Sequence, residues 1–315
     1  LKKGILLIGL MIAAVSSLFI GVHSIPITDL FHLNVQQEFI LWQTRIPRTV
    51  SLMIAGATAS VSGLIMQHLT QNKFVSPTTV GTMDSARLGI LVTMLYFPTA
   101  SILTRSVVAF IFALTGTLLF MWLLQKMSLK NPIMVPLLGI MFGNVIGSFV
   151  TFIAYKKQLI QNISTWLEGN FATVTKGDYE LIYLSVPLLI VAYLYAYPLT
   201  VSGLGEDLAI NLGLNYRLVQ LIGMTIVALA SSVTLVTVGT LPFLGIIIPN
   251  IISVYYGDQM KETLAITAVA GSLFLILCDI IARVVIFPYE VSVSLIVSIL
   301  GSLIFIYLLW KGVNK

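Results

Sequence analysis

Charge is scarce in this 315-residue sequence, so each charged group set among apolar neighbours is a candidate for chemistry. Arg45 and Arg48 flank Pro47 in TRIPRTV. Proline suits the first helical turn, which places both arginines at a helix N-terminus and, three apart, near one face. That is the unfavourable end of a helix dipole for a cation. Two readings are open: the side chains snorkel to lipid headgroups with Thr44 capping the helix, or they wait for carboxylates on another protein. Asp84 and Arg87 stand three apart in VGTMDSARLGI, well inside an apolar run. An intramembrane arginine costs at least about 2.5 kcal/mol on insertion scales, and pairing with Asp84 would reduce that. The pair is either a structural salt bridge or an arginine facing a wet cavity, where it would meet an anionic solute. Asp279 and Arg283 in CDIIARVV are spaced to pair on one helix face. With each buried acid beside an arginine, a relay for a proton-coupled carrier is poorly supported.

A fourth polar stretch, SGLGEDLAINLGLNYR at 202–217, reads as a short helix with its own start and stop. Gly203 and Gly205 break the preceding helix. Glu206 and Asp207 occupy a first turn, where negative charge suits the dipole, and Gly213 is placed to end it. The body at 207–212 is too short to hold alone, so Leu208 and Leu212 need a surface: this chain's own or a soluble partner's.

Other chemistries are missing. His23, His32 and His68 have no metal-ligand spacing, and the single cysteine, Cys278, excludes an intramolecular disulfide and a thiolate cluster. No Gly-rich phosphate loop followed by Lys and Ser or Thr occurs, and no nucleophile stands with a base, so the sequence predicts no catalytic site, no metal and no cofactor bound by this chain.

The elements that must position these groups are membrane helices. The chain is 58% hydrophobic and 9% charged with mean hydropathy +1.01, against about 25% charged in soluble domains. Continuous rather than alternating apolar runs predict an all-α polytopic membrane protein of about ten helices in one domain over 1–315. The segments are 4–22, 47–69, 78–97, 103–126, 132–155, 178–197, 216–238, 243–256, 262–287 and 291–311. The eighth is short and contains Pro249, which predicts a tilted, broken or re-entrant helix and makes Pro249 and Asn250 candidates for a pathway wall. An even count puts both termini on one side. The N-terminal lysines and Trp310-Lys311 favour the cytoplasm, although basic residues divide almost evenly between the two faces. On the outer side, the loop at 156–177 is expected to carry a short interfacial helix capped by Asn162 and anchored by Trp166. Gly139, Gly143 and Gly147, at four-residue steps, predict a helix-packing seam.

RIPR at 45–48, SGLIMQHLTQNKFVSPTTVGT at 62–82, STWLEGN at 164–170, GEDLAINLGLN at 205–215, GTLPFLGIIIPNIIS at 239–253 and the stretch 278–309 together resemble the permease subunits of iron–siderophore and vitamin B12 importers. The likeness covers nearly the whole chain. NKFVSPTTVGTMDSARLGI brings it nearest to Gram-positive permeases for catecholate siderophores such as petrobactin. The resemblance implies a type II ABC importer permease in the cytoplasmic membrane. Its expected partners are a second permease (a paralogue or an identical copy), two ATPase subunits that use ATP with Mg, and an extracellular siderophore-binding lipoprotein; no nucleic acid is among them. By resemblance Arg45 and Arg48 match arginines that meet glutamates on the binding protein. Gly205, Glu206, Asp207, Leu208, Leu212 and Gly213 match the cytoplasmic helix that enters a cleft on the ATPase. The solute would descend along spans that include Asp84, Arg87, Pro249 and Asn250. Asn250 departs from a histidine common in the family, and Met83, Asp84 and Arg87 replace its usual small residues. A haem or cobalamin importer of the same design stays open, and more distantly a proton-coupled secondary carrier.

Overall fold

The computed structural model describes residues 3–21, 34–127, 134–161 and 168–313, and these form helices with no strand among them. In chain order the helices are α1 (Lys3–Phe19), α2 (Val35–Ile40), α3 (Ile46–Leu69), α4 (Thr82–Tyr96), α5 (Ile102–Lys126), α6 (Met134–Lys156), α7 (Ser185–Leu194), α8 (Ala196–Ser202), α9 (Glu206–Asn211), α10 (Tyr216–Val238), α11 (Leu244–Tyr256), α12 (Met260–Val284) and α13 (Val293–Val313). Six helical stretches are long and apolar enough to cross a bilayer, and α7 with its 3-10 lead-in and α8 make a seventh, bent by 63°. Helices α1, α4 and α11, of 17, 15 and 13 residues, occupy the remaining expected positions. His23, His32, Asn162 and Trp166 lie outside the described residues.

Helix α3 is the spine, buried along most of its length and packed against α12, α10 and α11. Small residues allow these close approaches. A methyl placed on Gly63 would collide with the backbone of Gly245 in α11, and one on Gly56 would lie 2.8 Å from the Gly271 carbonyl carbon and the Ser272 Cα in α12. In lipid, where apolar side chains gain little by meeting each other, such backbone proximity supplies the packing energy.

Several boundaries differ from expectation for reasons of backbone chemistry. The second span does not start at Pro47: α2 continues through a π-helical stretch at Leu41–Arg45 into α3. Thr44 is therefore not a cap; its Oγ1 donates to Ile40 O at 2.7 Å inside the helix. Pro47 has no N–H for the carbonyl four residues back, and Gln43 O accepts from Lys176 N instead, at 3.0 Å. The third span becomes helical only at Thr82, after an irregular stretch ending in Gly81 at φ 76°. That stretch satisfies its own backbone: Phe74 N donates to Asn72 Oδ1 and Ser76 N to Thr79 Oγ1, both at 2.8 Å. The eighth span is not broken. Helix α11 runs straight through Pro249, and the Gln67 amide reaches Gly245 O, the carbonyl that Pro249 cannot serve, at 3.4 Å.

Gly63→Val should force α3 from α11 and lower the unfolding midpoint in detergent, by an overpacking cost of about 1–3 kcal/mol or more. Gly4→Val, at a position with open space around it, should leave that midpoint in place.

Candidate functional site

The charged groups gather at three places along the bundle. The first is the N-terminal end of α3. Asp279 is fully buried, and each of its oxygens meets a different arginine. Arg48 donates to Oδ1 from Nε at 3.0 Å and from Nη2 at 2.7 Å. Arg283 donates to Oδ2, the one-turn pairing that its spacing predicts. Arg48 Nη1 also donates to Glu290 Oε2 at 2.7 Å. Arg283 also donates from Nη1 to Ser17 O at 2.9 Å and Ile20 O at 2.8 Å, and from Nη2 to Ser17 Oγ at 2.9 Å. Arg45 donates to Leu18 O at 3.2 Å and to Ile20 O.

Snorkelling is thus not what these arginines do; their heads turn inward. Arg45 and Arg48 border a cavity of about 220 Å³ with Arg283, Glu290 and Thr44, and both are buried. The sequence reading missed the partnership of Arg48 with Asp279, 231 residues away, and with Glu290. The only signal for it was an excess of arginine over carboxylate beside one helix end.

The second place is the seam between α4 and α6. Arg87 Nη1 donates to Asp84 Oδ1 at 3.0 Å. The carboxylate sits against the bare backbone of α6: a methyl on Gly143 would stand 2.6 Å from Asp84 Oδ2, and one on Gly147 would stand 3.7 Å from Oδ1. The glycine run is therefore the packing seam that its spacing predicts. Beside the pair lies a cavity of about 710 Å³, bordered by Asp84, Arg87, Asn144, Ser148, Thr151 and Tyr155. Pro249 and Asn250 are not brought to this cavity. Asn250 is a latch: its Nδ2 donates to Lys73 O at 2.8 Å and to Ile246 O at 2.7 Å. Lys73 Nζ in turn holds Asp258 at 2.9 Å and Ser253 Oγ at 2.8 Å. Burial alone would raise the Asp258 carboxyl, but hydrogen bonds from Ser253 and Lys73 outweigh it and hold the group below the usual carboxylate range.

The third place is α9, at the far end of α3 from Arg48, ~36 Å along a 24-residue helix. Gly205, at φ 108°, precedes the first turn with Glu206 and Asp207, and Gly213, at φ 79°, follows the last. Ala209 alone is buried, packing with Val201 and Tyr216. Leu208 is 55% exposed and Leu212 67%, with Leu204 and Ile210 beside them. The helix rests on its own chain through one methyl group and presents its larger side chains outward.

The FecCD transport family profile matches residues 9–311. The chain belongs to the FecCD transport family. Among FecCD relatives, the petrobactin import system permease YclN of Bacillus subtilis is 52% identical over 311 residues, covering 99% of this chain and 98% of its own. The ferric-anguibactin transport permease FatD of Vibrio anguillarum is 39% identical over 297 residues, covering 94% and 95%. A solved chain described as a metal-chelate type ABC transporter, inward-facing, superposes with a TM-score of 0.84 at 23% identity, covering 98% of each chain, and so shares the fold. As a FecCD protein, the chain is a multi-pass membrane transport permease that functions with a partner permease and an ATPase.

Removing the Asp279 carboxylate leaves two buried guanidiniums facing each other. Asp279→Ala should destabilise by about 3–5 kcal/mol, read as a large drop in the detergent unfolding midpoint. Glu290→Ala, at a side chain that is one-quarter exposed, should cost distinctly less.

Proposed function

We propose that this chain is the permease subunit of a binding-protein-dependent, ATP-driven importer of ferric siderophores of the catecholate type. The observation that carries the reading is the 52% identity to a petrobactin import permease over 99% of this chain and 98% of the relative. Two permease chains form the passage, and two separate ATPase subunits bind ATP with Mg. A siderophore-binding lipoprotein delivers the ligand from outside. Both termini and α9 lie on the cytoplasmic side, and the Arg45–Arg48 end faces outward. This chain itself binds no cofactor and catalyses no reaction.

In this reading α9 is the coupling element. Its exposed Leu208 and Leu212 suit a cleft on an ATPase, and Glu206 and Asp207 at its start stabilise the helix dipole. A helix held by Ala209 alone gains its rigidity when the partner covers it. At the other end, the binding protein's carboxylates dock on the guanidiniums that border the small cavity. Arg48 already holds Glu290, so docking is an exchange of one carboxylate for another. The solute descends past Asp84 and Arg87 and along the wall made by α11, whose Pro249 and Asn250 fix the shape of that wall.

ATP-driven uptake of iron(III) catecholate into proteoliposomes carrying the reconstituted complex should exceed uptake of cobalamin; preference for cobalamin would overturn the siderophore reading. Leu208→Asp should abolish co-purification of the ATPase while the chain still inserts and folds, and retention of the ATPase would count against α9 as its dock. Glu290→Gln removes the competing charge and should tighten binding-protein affinity several-fold at low salt. Charge reversal at Arg48 is a poorer test, because it places a carboxylate on Asp279 whatever Arg48 does for docking.

A further inference from the structure

Helix α6 carries Asn144, Ser148, Thr151 and Tyr155 at steps of four, three and four residues, which align them on one stripe. All four are exposed on the chain. Thr151 Oγ1 is satisfied by Gly147 O at 2.8 Å within the helix. Hydrocarbon is a poor neighbour for an amide and two hydroxyls in a row, since it offers no hydrogen-bond partner. Other exposed apolar side chains of α6, Met141, Val145 and Phe149 among them, follow an adjacent line and supply a lipid- or protein-facing edge. The polar line faces the cavity of about 710 Å³, a volume within the ~300–1,000 Å³ range of ligand pockets.

Arg87 borders the same cavity as the stripe. Its Nη1 is tied to Asp84, and its buried Nε has no hydrogen-bond partner among the described residues. Asp84 is in turn fixed by its seat on Gly143 and Gly147. The guanidinium is thereby aimed rather than free to swing, with Asp84 taking one of its five N–H groups and leaving donors for a further acceptor. Asp84 is itself one-fifth exposed, so the pair offers a cation edge and a carboxylate edge to the same space.

We propose that Arg87 and the Asn144–Ser148–Thr151 stripe form a charge-selecting contact for the anionic oxygens of a catecholate iron chelate, with Asp84 and the α6 glycines as its positioning elements. The inference rests on the permease reading and adds to it which residues discriminate among chelates and by what property. An iron(III) tris-catecholate carries three negative charges, and its coordinated phenolate oxygens are acceptors only. Guanidinium, amide and hydroxyl donors match them, whereas the Asp84 carboxylate repels chelates that approach from its own side. The contact therefore favours high negative charge and orients the ligand toward Arg87. Thr151 donates within its own helix, so Asn144 and Ser148 supply the direct hydrogen bonds.

The test uses the complete transporter in proteoliposomes, with two probes: an iron(III) tris-catecholate, charge −3, and an iron(III) tris-hydroxamate, charge zero. Arg87→Gln should lower tris-catecholate uptake at least tenfold, chiefly through the concentration needed for half-maximal rate, and narrow the preference over the neutral chelate. Arg87→Lys should recover part of that loss. Accumulation in the membrane and co-purification of the ATPase should be unchanged in both, which separates a lost ligand contact from a lost assembly. Should Arg87→Gln fail to accumulate because Asp84 is left unpaired, the double variant Asp84→Asn/Arg87→Gln removes both charges and should show the same narrowed preference. Unchanged uptake and unchanged preference in a folded variant would overturn the inference and leave Asp84–Arg87 a structural ion pair. Wild-type transporter that carries neither chelate with ATP would sink the permease reading, and the inference with it.

Discussion

One carboxylate with no exposure to solvent, Asp279, organises one end of this molecule. A lone buried carboxylate is too costly to keep charged, so its surroundings are forced. Arg48 from α3 takes one oxygen and Arg283 from α12 takes the other, which fixes the two most heavily packed helices in register. Arg283 Nη1, together with Arg45, donates to Ser17 O, Leu18 O and Ile20 O at the end of α1. Carbonyls at a helix C-terminus have no partners within the helix, and cations are favoured there. Arg45, which the sequence puts at a helix N-terminus, lies inside the continuous α2–α3 helix and serves the C-terminus of α1, as Arg283 does. Three helices, α1, α3 and α12, are joined in the process.

The two prolines illustrate the same constraint on a smaller scale. Each removes a backbone donor and leaves a carbonyl of its own helix without the partner four residues on. Pro47 leaves Gln43 O, which Lys176 N from a distant loop satisfies; Pro249 leaves Gly245 O, which the Gln67 side chain approaches. Both repairs come from outside the proline's own helix. Each therefore fastens a remote segment to the α3 spine. The Gly63–Gly245 approach works alongside the second repair, because only an α11 that lies against α3 brings Gly245 O within reach of Gln67.

Much of this was legible in the sequence, and the limit falls at one kind of information. Apolar runs long enough to span gave the helices in order. The i,i+3 and i,i+4 spacings gave Asp84–Arg87 and Asp279–Arg283, because helix geometry alone decides such pairs. Glycine punctuation gave α9 almost to the residue, and four-residue glycine steps gave a packing seam on α6 without naming α4 as its partner. Arg48–Asp279, Arg48–Glu290 and Gln67–Gly245 depend on which helices become neighbours, and local spacing carries no trace of that. Of the three readings open for the Pro249 segment, only the broken one fails, because the Gln67 side chain approaches the carbonyl that the proline abandons. The α6 stripe was available in the sequence as Asn144, Ser148 and Thr151, but it gained meaning only once the cavity lay beside it.

Two arginine–aspartate pairs of similar local spacing thus have different standing, and hydrogen-bond satisfaction does not by itself separate them, since among the described residues Nε lacks a partner in both Arg87 and Arg283. Surroundings do. The Arg283 side chain is 2% exposed and enclosed by α1, Asp279 and Ser17, so its charge is spent on holding helices together. The Arg87 side chain is 29% exposed, its partner sits on a glycine seam that holds it in place, and a polar stripe borders the same open volume. A bilayer makes every arginine expensive, so a permease that needs only helix packing at this seam would do better with apolar residues there. The charge retained beside a cavity, oriented by a carboxylate that neutralises it toward the helices but not toward the space, is the arrangement that lets a membrane domain attract an anion without binding lipid headgroups in its place.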